Sequence, residues 1–130
     1  LNYQYEFVDD ARRFETGSIA FQDQLGMSHS VDLLLDLGID NIWQHVVALQ
    51  KDIIEWARFR EVEVVSDLTT SRRSGILCIR PRDAARVHQA LIAEGVACAF
   101  RENAIRLAPH WYNTPAEISR VIEIMDTVVA

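Results

Sequence analysis

The nine residues Ile105-Arg106-Leu107-Ala108-Pro109-His110-Trp111-Tyr112-Asn113 crowd a guanidinium, an imidazole, two large aromatic rings and a carboxamide into one short stretch. Polar aromatics at the turn from a strand to a helix build binding walls, because loops on a rigid scaffold carry function. Arg106 is the sharpest member. Strand alternation puts Ile105 and Leu107 on one face and Arg106 on the other, beside Ala104 and Ala108, whose small side chains leave room around it. A guanidinium held on a strand offers a bidentate fork to a carboxylate. A surface ion pair on an edge strand is the other reading that periodicity allows. His110 is either a proton carrier or a ring-nitrogen donor that pins the turn beside Pro109, and Asn113 supports the loop or the following helix cap. Trp111 and Tyr112 read as core.

Other reactive side chains offer less. Cys78 and Cys98 share strand faces with apolar neighbours and read as inert packing. His29 and His45 have no second ligand four residues on, so no metal site is expected. Arg13 and Glu15, flanking Phe14, could form a structural ion pair. No Ser-His-Asp set, phosphate-binding loop or dinucleotide fingerprint is present.

The elements that must position Arg106 follow from period and punctuation. Residues 1–18 are polar and irregular and read as an arm or loop. Ile19 to Leu37 fits a helix loosely, with Gly26 interrupting it and Gly38 stopping it. Ile42, Trp43, Val46, Leu49, Ile53 and Trp56 form one apolar stripe, predicting a helix over 40–58 capped by Asp40, with Gln44, Gln50, Lys51 and Glu55 outside the stripe. Alternation around Val62 and Val64 marks a short strand, 67–74 is a polar loop, and 75–80 is a central apolar strand ended by Pro81. Asp83 opens a helix that Gly95 closes. Strands over 96–100 and 104–108 are joined by Arg101-Glu-Asn103. Thr114-Pro-Ala-Glu117 is a capping box that starts the last helix. The expected fold is α+β: three or four largely antiparallel strands with helices on one face, over residues 19–130.

Composition sets the outer bounds. A chain of 130 residues with 49% hydrophobic and 25% charged residues is one ordinary globular domain. Thirteen basic against nineteen acidic residues give −6, so no nucleic-acid backbone is expected as a partner. No apolar run approaches the ~18 residues that span a bilayer, so no membrane partner is expected either. Two cysteines fit a reducing, cytoplasmic setting. Leu1 at the start is expected of a fragment or processed chain. Only one basic residue, Lys51, is a lysine.

Two segments together resemble class V aminotransferases, the pyridoxal-phosphate family that includes cysteine desulfurases, kynureninases and isopenicillin-N-epimerase-like proteins. Ala11-Arg-Arg-Phe-Glu-Thr-Gly-Ser18 resembles the family's RFE-x-GT segment. Arg101-Glu-Asn-Ala-Ile-Arg-Leu-Ala-Pro-His-Trp-Tyr-Asn-Thr114 resembles its R-x-G-x-I-R-L-S-P-H-x-Y-N-T segment. The resemblance covers essentially the whole chain and implies the small C-terminal domain of a fold-type I enzyme. It implies pyridoxal 5′-phosphate as cofactor, an amino acid as substrate, a homodimer, and a large cofactor domain as the partner of this one. Arg106 would clamp the substrate carboxylate. Gly17 and Ser18 would reach the cofactor phosphate across the dimer interface, Ser18 standing for the family's Thr.

The departures sharpen these expectations. The lysine that bonds covalently to the cofactor should lie some fifty residues before the first motif; Lys51 follows it and cannot substitute. The chain is therefore expected to lack the large domain and to be inactive alone. Seven residues separate Cys98 from Arg106, too few for a desulfurase's cysteine loop, which points to the aminotransferase or epimerase-like branch. Asn103 stands where Gly is usual, and Asn tolerates positive φ. A stand-alone carboxylate-binding or dimerisation module without catalysis is the alternative.

Overall fold

The computed structural model describes residues 4, 6–15 and 17–129. The chain separates into two compact units, Leu1–Leu37 and Gly38–Ala130, so the helix expected to open the small domain groups with the arm instead. In the first unit, Ala11–Phe14 form a 3-10 turn capped by Asp10, whose Oδ1 accepts from the Arg12 N–H at 2.9 Å. The ion pair here is Arg12–Asp10, not Arg13–Glu15; the Arg13 guanidinium instead lies 5.8 Å from the Phe7 ring centroid. The Arg12 guanidinium holds the Asp10 carboxyl below the usual range. Helix α1, Phe21–Leu37, runs through Gly26 without interruption.

The second unit opens with Gly38 at φ +83, a conformation that only glycine adopts freely, and helix α2 follows over Ile39–Phe59. Asp40 thus lies in the first turn of α2 rather than at its cap, where its charge still complements the helix dipole. Next come β1 (Glu63–Val64), β2 (Leu77–Arg80), α3 (Ala84–Ala93), β3 (Ala99–Arg101), β4 (Ala104–Leu107) and α4 (Pro115–Val129). The sheet order is β1-β2-β4-β3, with every neighbouring pair antiparallel. β2 and β3 therefore point the same way on either side of β4, and α3 connects them.

The expected α+β architecture holds, and all three helices of this unit pack on one face of the sheet. Leu77 and Ile79 of β2 and Ile105 and Leu107 of β4 project into a core shared with Leu49, Ile53 and Ala57 of α2, Val87 and Leu91 of α3, and Ile118 and Met125 of α4. The alternation read from the sequence selects this face. Gln50 is a correction. It is 1% exposed, not on the solvent side of α2, because the 67–74 loop returns over the helix: Arg73 donates to its Oε1, and its Nε2 donates to the Ser74 carbonyl at 3.1 Å.

Helix ends set the strand boundaries. Asp83 caps α3, accepting from the Arg86 N–H at 3.1 Å. At the other end Val96 N–H reaches the Leu91 carbonyl and Gly95 N–H the Ile92 carbonyl, with Gly95 at φ +79, the Schellman pattern. Val96 is thus committed to the helix end, and β3 begins only at Ala99 rather than at 96. The β3–β4 connection is a two-residue turn, Glu102-Asn103, with both φ values positive (51 and 56). That conformation suits a tight hairpin, and Asn103 adopts the positive φ expected of it.

Candidate functional site

The sheet face away from the helices carries the Arg106 side chain. Arg106 lies opposite Cys78 on β2 and Ala99 on β3, and Ala104 and Ala108 flank it along its own strand. Arg60, Arg73, Arg80 and Arg106 are the half-buried arginines among the described residues. Arg60 binds Asp126, Arg73 binds Gln50, and Arg80 binds both oxygens of Glu63 at 3.0 and 2.8 Å. Of these, only the Arg106 side chain makes no hydrogen bond or ion pair to any described residue. A half-desolvated guanidinium with its five donors uncommitted is poised for an anion from outside the domain.

The turn after β4 is locked by short-range bonds. The His110 N–H donates to the Asn113 side-chain oxygen at 2.9 Å, and the Asn113 N–H returns to the His110 carbonyl at 3.0 Å. His45 of α2 adds a tie absent from the sequence expectations. Its Nε2 lies 2.9 Å from the Asn113 carbonyl, which can only accept, so this nitrogen donates. The one available signal was position: His45 sits on the edge of the apolar stripe, next to Val46. The capping box forms as expected, with the Thr114 N–H donating to Glu117 Oε2 at 2.6 Å and Thr114 Oγ1 accepting from the Glu117 N–H at 3.3 Å. These bonds to Thr114 hold the Glu117 carboxyl below its usual range.

His110 Nδ1 is buried and has no partner, and its ring stacks on Tyr112 with centroids 5.5 Å apart. His110, Pro109 and Ala108 close one side of an apolar cleft of about 300 Å³, whose other side is Trp43, Val46 and Ile76. Trp111 and Tyr112 are not core. They are 36% and 65% exposed, because the turn projects them past the end of the sheet. Cys78 and Cys98 are free and half-buried. Cys98, just ahead of β3, packs against the core as expected, and burial pushes its thiol up. Cys78 instead lies on the open face opposite Arg106 rather than among apolar neighbours, because β2 turns Leu77 and Ile79 to the core. Among the described residues no cluster could hold a metal ion, and no helix is long and apolar enough to cross a membrane.

The first motif lies in the other unit. Thr16 falls outside the described residues. Gly17 and Ser18 are exposed in irregular backbone ahead of α1, and their N–H groups and the Ser18 hydroxyl donate to no described residue. Such donors before a helix suit a phosphate. Lys51, by contrast, is exposed on α2 in an i,i+4 pair with Glu55 at 3.6 Å. These residues therefore fit the phosphate end of pyridoxal phosphate and supply no covalent anchor.

Comparison with known proteins decides the lineage. The kynureninase C-terminal domain family matches residues 42–125, from α2 into the last turns of α4. The chain belongs to the kynureninase C-terminal domain family. Arg106, His110 and Asn113 lie inside the span that this family matches, and Gly17 and Ser18 precede it. An uncharacterized aminotransferase, YcbU, of Bacillus subtilis (strain 168) is 34% identical over 113 residues, covering 87% of this chain and 30% of the relative. Kynureninase of Bacillus mycoides (strain KBAB4) is 27% identical over 135 residues, covering 99% of this chain and 32% of the relative. Kynureninase of Bacillus cereus (strain ATCC 10987 / NRS 248) is 27% identical over 129 residues, covering 94% and 30%. The chain thus spans about a third of the length of these relatives, and the relationship expected from the two motifs holds.

Proposed function

We propose that this chain is the C-terminal part of a pyridoxal-phosphate-dependent, aminotransferase-like enzyme that acts on an amino acid, and that Arg106 clamps the substrate's carboxylate. The observation that carries this reading is the half-buried, uncommitted guanidinium of Arg106 on the uncovered face of the sheet. The locked turn from His110 to Asn113 supports it as a positioning device: bonded to itself and to His45, it fixes the end of the strand that holds Arg106.

Gly17 and Ser18 would hold the cofactor phosphate through their free N–H groups and the Ser18 hydroxyl, across a homodimer interface. When bound, pyridoxal phosphate draws electrons away from the substrate's α-carbon. The lysine that anchors it belongs to a large domain that partners this one, so the chain by itself is inactive. Two free cysteines are in keeping with a cytoplasmic setting.

The carboxylate clamp is tested by following the Arg106 Nε–H resonance in a ¹⁵N NMR titration of the chain with propionate. The resonance is expected to shift saturably. Arg106→Gln is expected to weaken binding roughly tenfold or more, and Arg106→Lys by less, since an ammonium keeps the charge and loses the fork. Propionate binding that Arg106→Gln leaves unchanged removes Arg106 from the site.

A further inference from the structure

The open face of the sheet holds a second uncommitted arginine. Arg101 on β3 lies directly opposite Ala104 on β4, so it shares the face of Ala104 and of Arg106 two residues further on. Arg101 and Arg106 are therefore diagonal neighbours on adjacent strands, with backbones about 7–8 Å apart, a gap two arginine side chains can close. Ala99, Ala104 and Ala108 lie around them on this face, and Cys78 of β2 lies opposite Arg106. The remaining arginine of this face, Arg80, is neutralised by Glu63. The exposed Arg101 side chain, like that of Arg106, makes no hydrogen bond or ion pair to a described residue. Two unneutralised guanidinium groups side by side repel one another, and in a chain of net charge −6 they form an isolated basic spot. One carboxylate neutralises one of them. A ligand with two carboxylates neutralises both.

We propose that Arg101 is a specificity-determining residue that receives a second carboxylate, so that the site selects a short dicarboxylic amino or keto acid over a monocarboxylic one. The proposal rests on the reading of Arg106 as the clamp for the first carboxylate.

Succinate and propionate serve as probes in parallel ¹⁵N NMR titrations of the chain. Succinate is expected to bind the unaltered chain about tenfold or more tighter than propionate and to shift the Nε–H resonances of both Arg101 and Arg106. Arg101→Gln should bring succinate down to the affinity of propionate and leave propionate unchanged. Arg82→Gln, the same charge change at an exposed position outside the strands, should keep the preference. If Arg101→Gln does not fold, Arg101→Lys is expected to give an intermediate preference, since the charge stays and the fork is lost. Equal affinities in the unaltered chain, a preference that survives in the Arg101 variant, or a preference that Arg82→Gln also abolishes overturns the proposal while leaving the Arg106 clamp standing. Propionate that fails to shift Arg106 at all overturns both.

Discussion

At the scale of single residues, the charges that matter divide into those already satisfied and those that are not. Asp126 of α4 is satisfied. Its carboxylate accepts from Arg60 Nε at 2.7 Å and from Trp56 Nε1 at 2.8 Å, tying the ends of α2 and α4 together. The Arg60 bond, and then the Trp56 bond, hold its carboxyl below the usual range. A group whose pKa is lowered on folding adds stability above its unfolded pKa, and that stability is lost as pH falls through the lowered value. Asp126→Asn should therefore lower the urea midpoint by a constant amount between about pH 7 and pH 5, with the gap from the unaltered chain closing below about pH 4. A gap independent of pH would mean that the charge of Asp126 contributes nothing. Arg106 stands at the other extreme, half-buried and unpaired. Its facing was legible in the sequence, because alternation along one short strand is enough to fix it. Its lack of a partner was not, since partners such as Glu63 for Arg80 come from strands distant in the chain.

At the scale of elements, most of the fold was legible wherever local chemistry sets it. The capping box of α4, the Asp83 cap of α3 and the glycine at the end of α3 are short-range devices, and each sits where its residues predict. Reading failed where distant segments meet. Gln50 is polar, and only the returning loop with Arg73 and Ser74 makes its burial tolerable. Trp111 and Tyr112 look like core by type, yet the turn that carries them ends beyond the sheet. The end of α2 repeats the pattern of α3 with a strained residue in the glycine position: Val62 N–H bonds the Ala57 carbonyl while Glu61 sits at φ 55. Glu61→Gly should remove that strain and stabilise the chain by about 1 kcal/mol, read as a rise in the urea midpoint at unchanged slope. A fall in the midpoint would show that the Glu61 side chain contributes more than its backbone strain costs.

At the scale of the whole molecule, the chain is a well-packed unit joined to one that buries almost nothing of its own. Helix α1 exposes Phe21, Leu25, Met27, Val31, Leu33 and Leu35, and none of its residues is buried. A helix apolar on several sides is one that other protein surface normally covers. The chain in isolation should therefore self-associate with rising concentration in sedimentation equilibrium, and Leu25→Glu with Leu35→Glu should return it toward monomer. A monomer at all concentrations would mean that α1 needs no cover. The central claim is that Arg106 recognises a substrate carboxylate, and kinetics on the full-length enzyme test it most directly. Arg106→Gln is compared with the unaltered enzyme on an amino acid and on the matching amine that lacks the carboxylate. The amino acid should lose roughly 2–4 kcal/mol in kcat/KM, about 30- to 800-fold, while the amine is nearly unaffected. Equal losses on both substrates, or no loss on either, would contradict the carboxylate clamp.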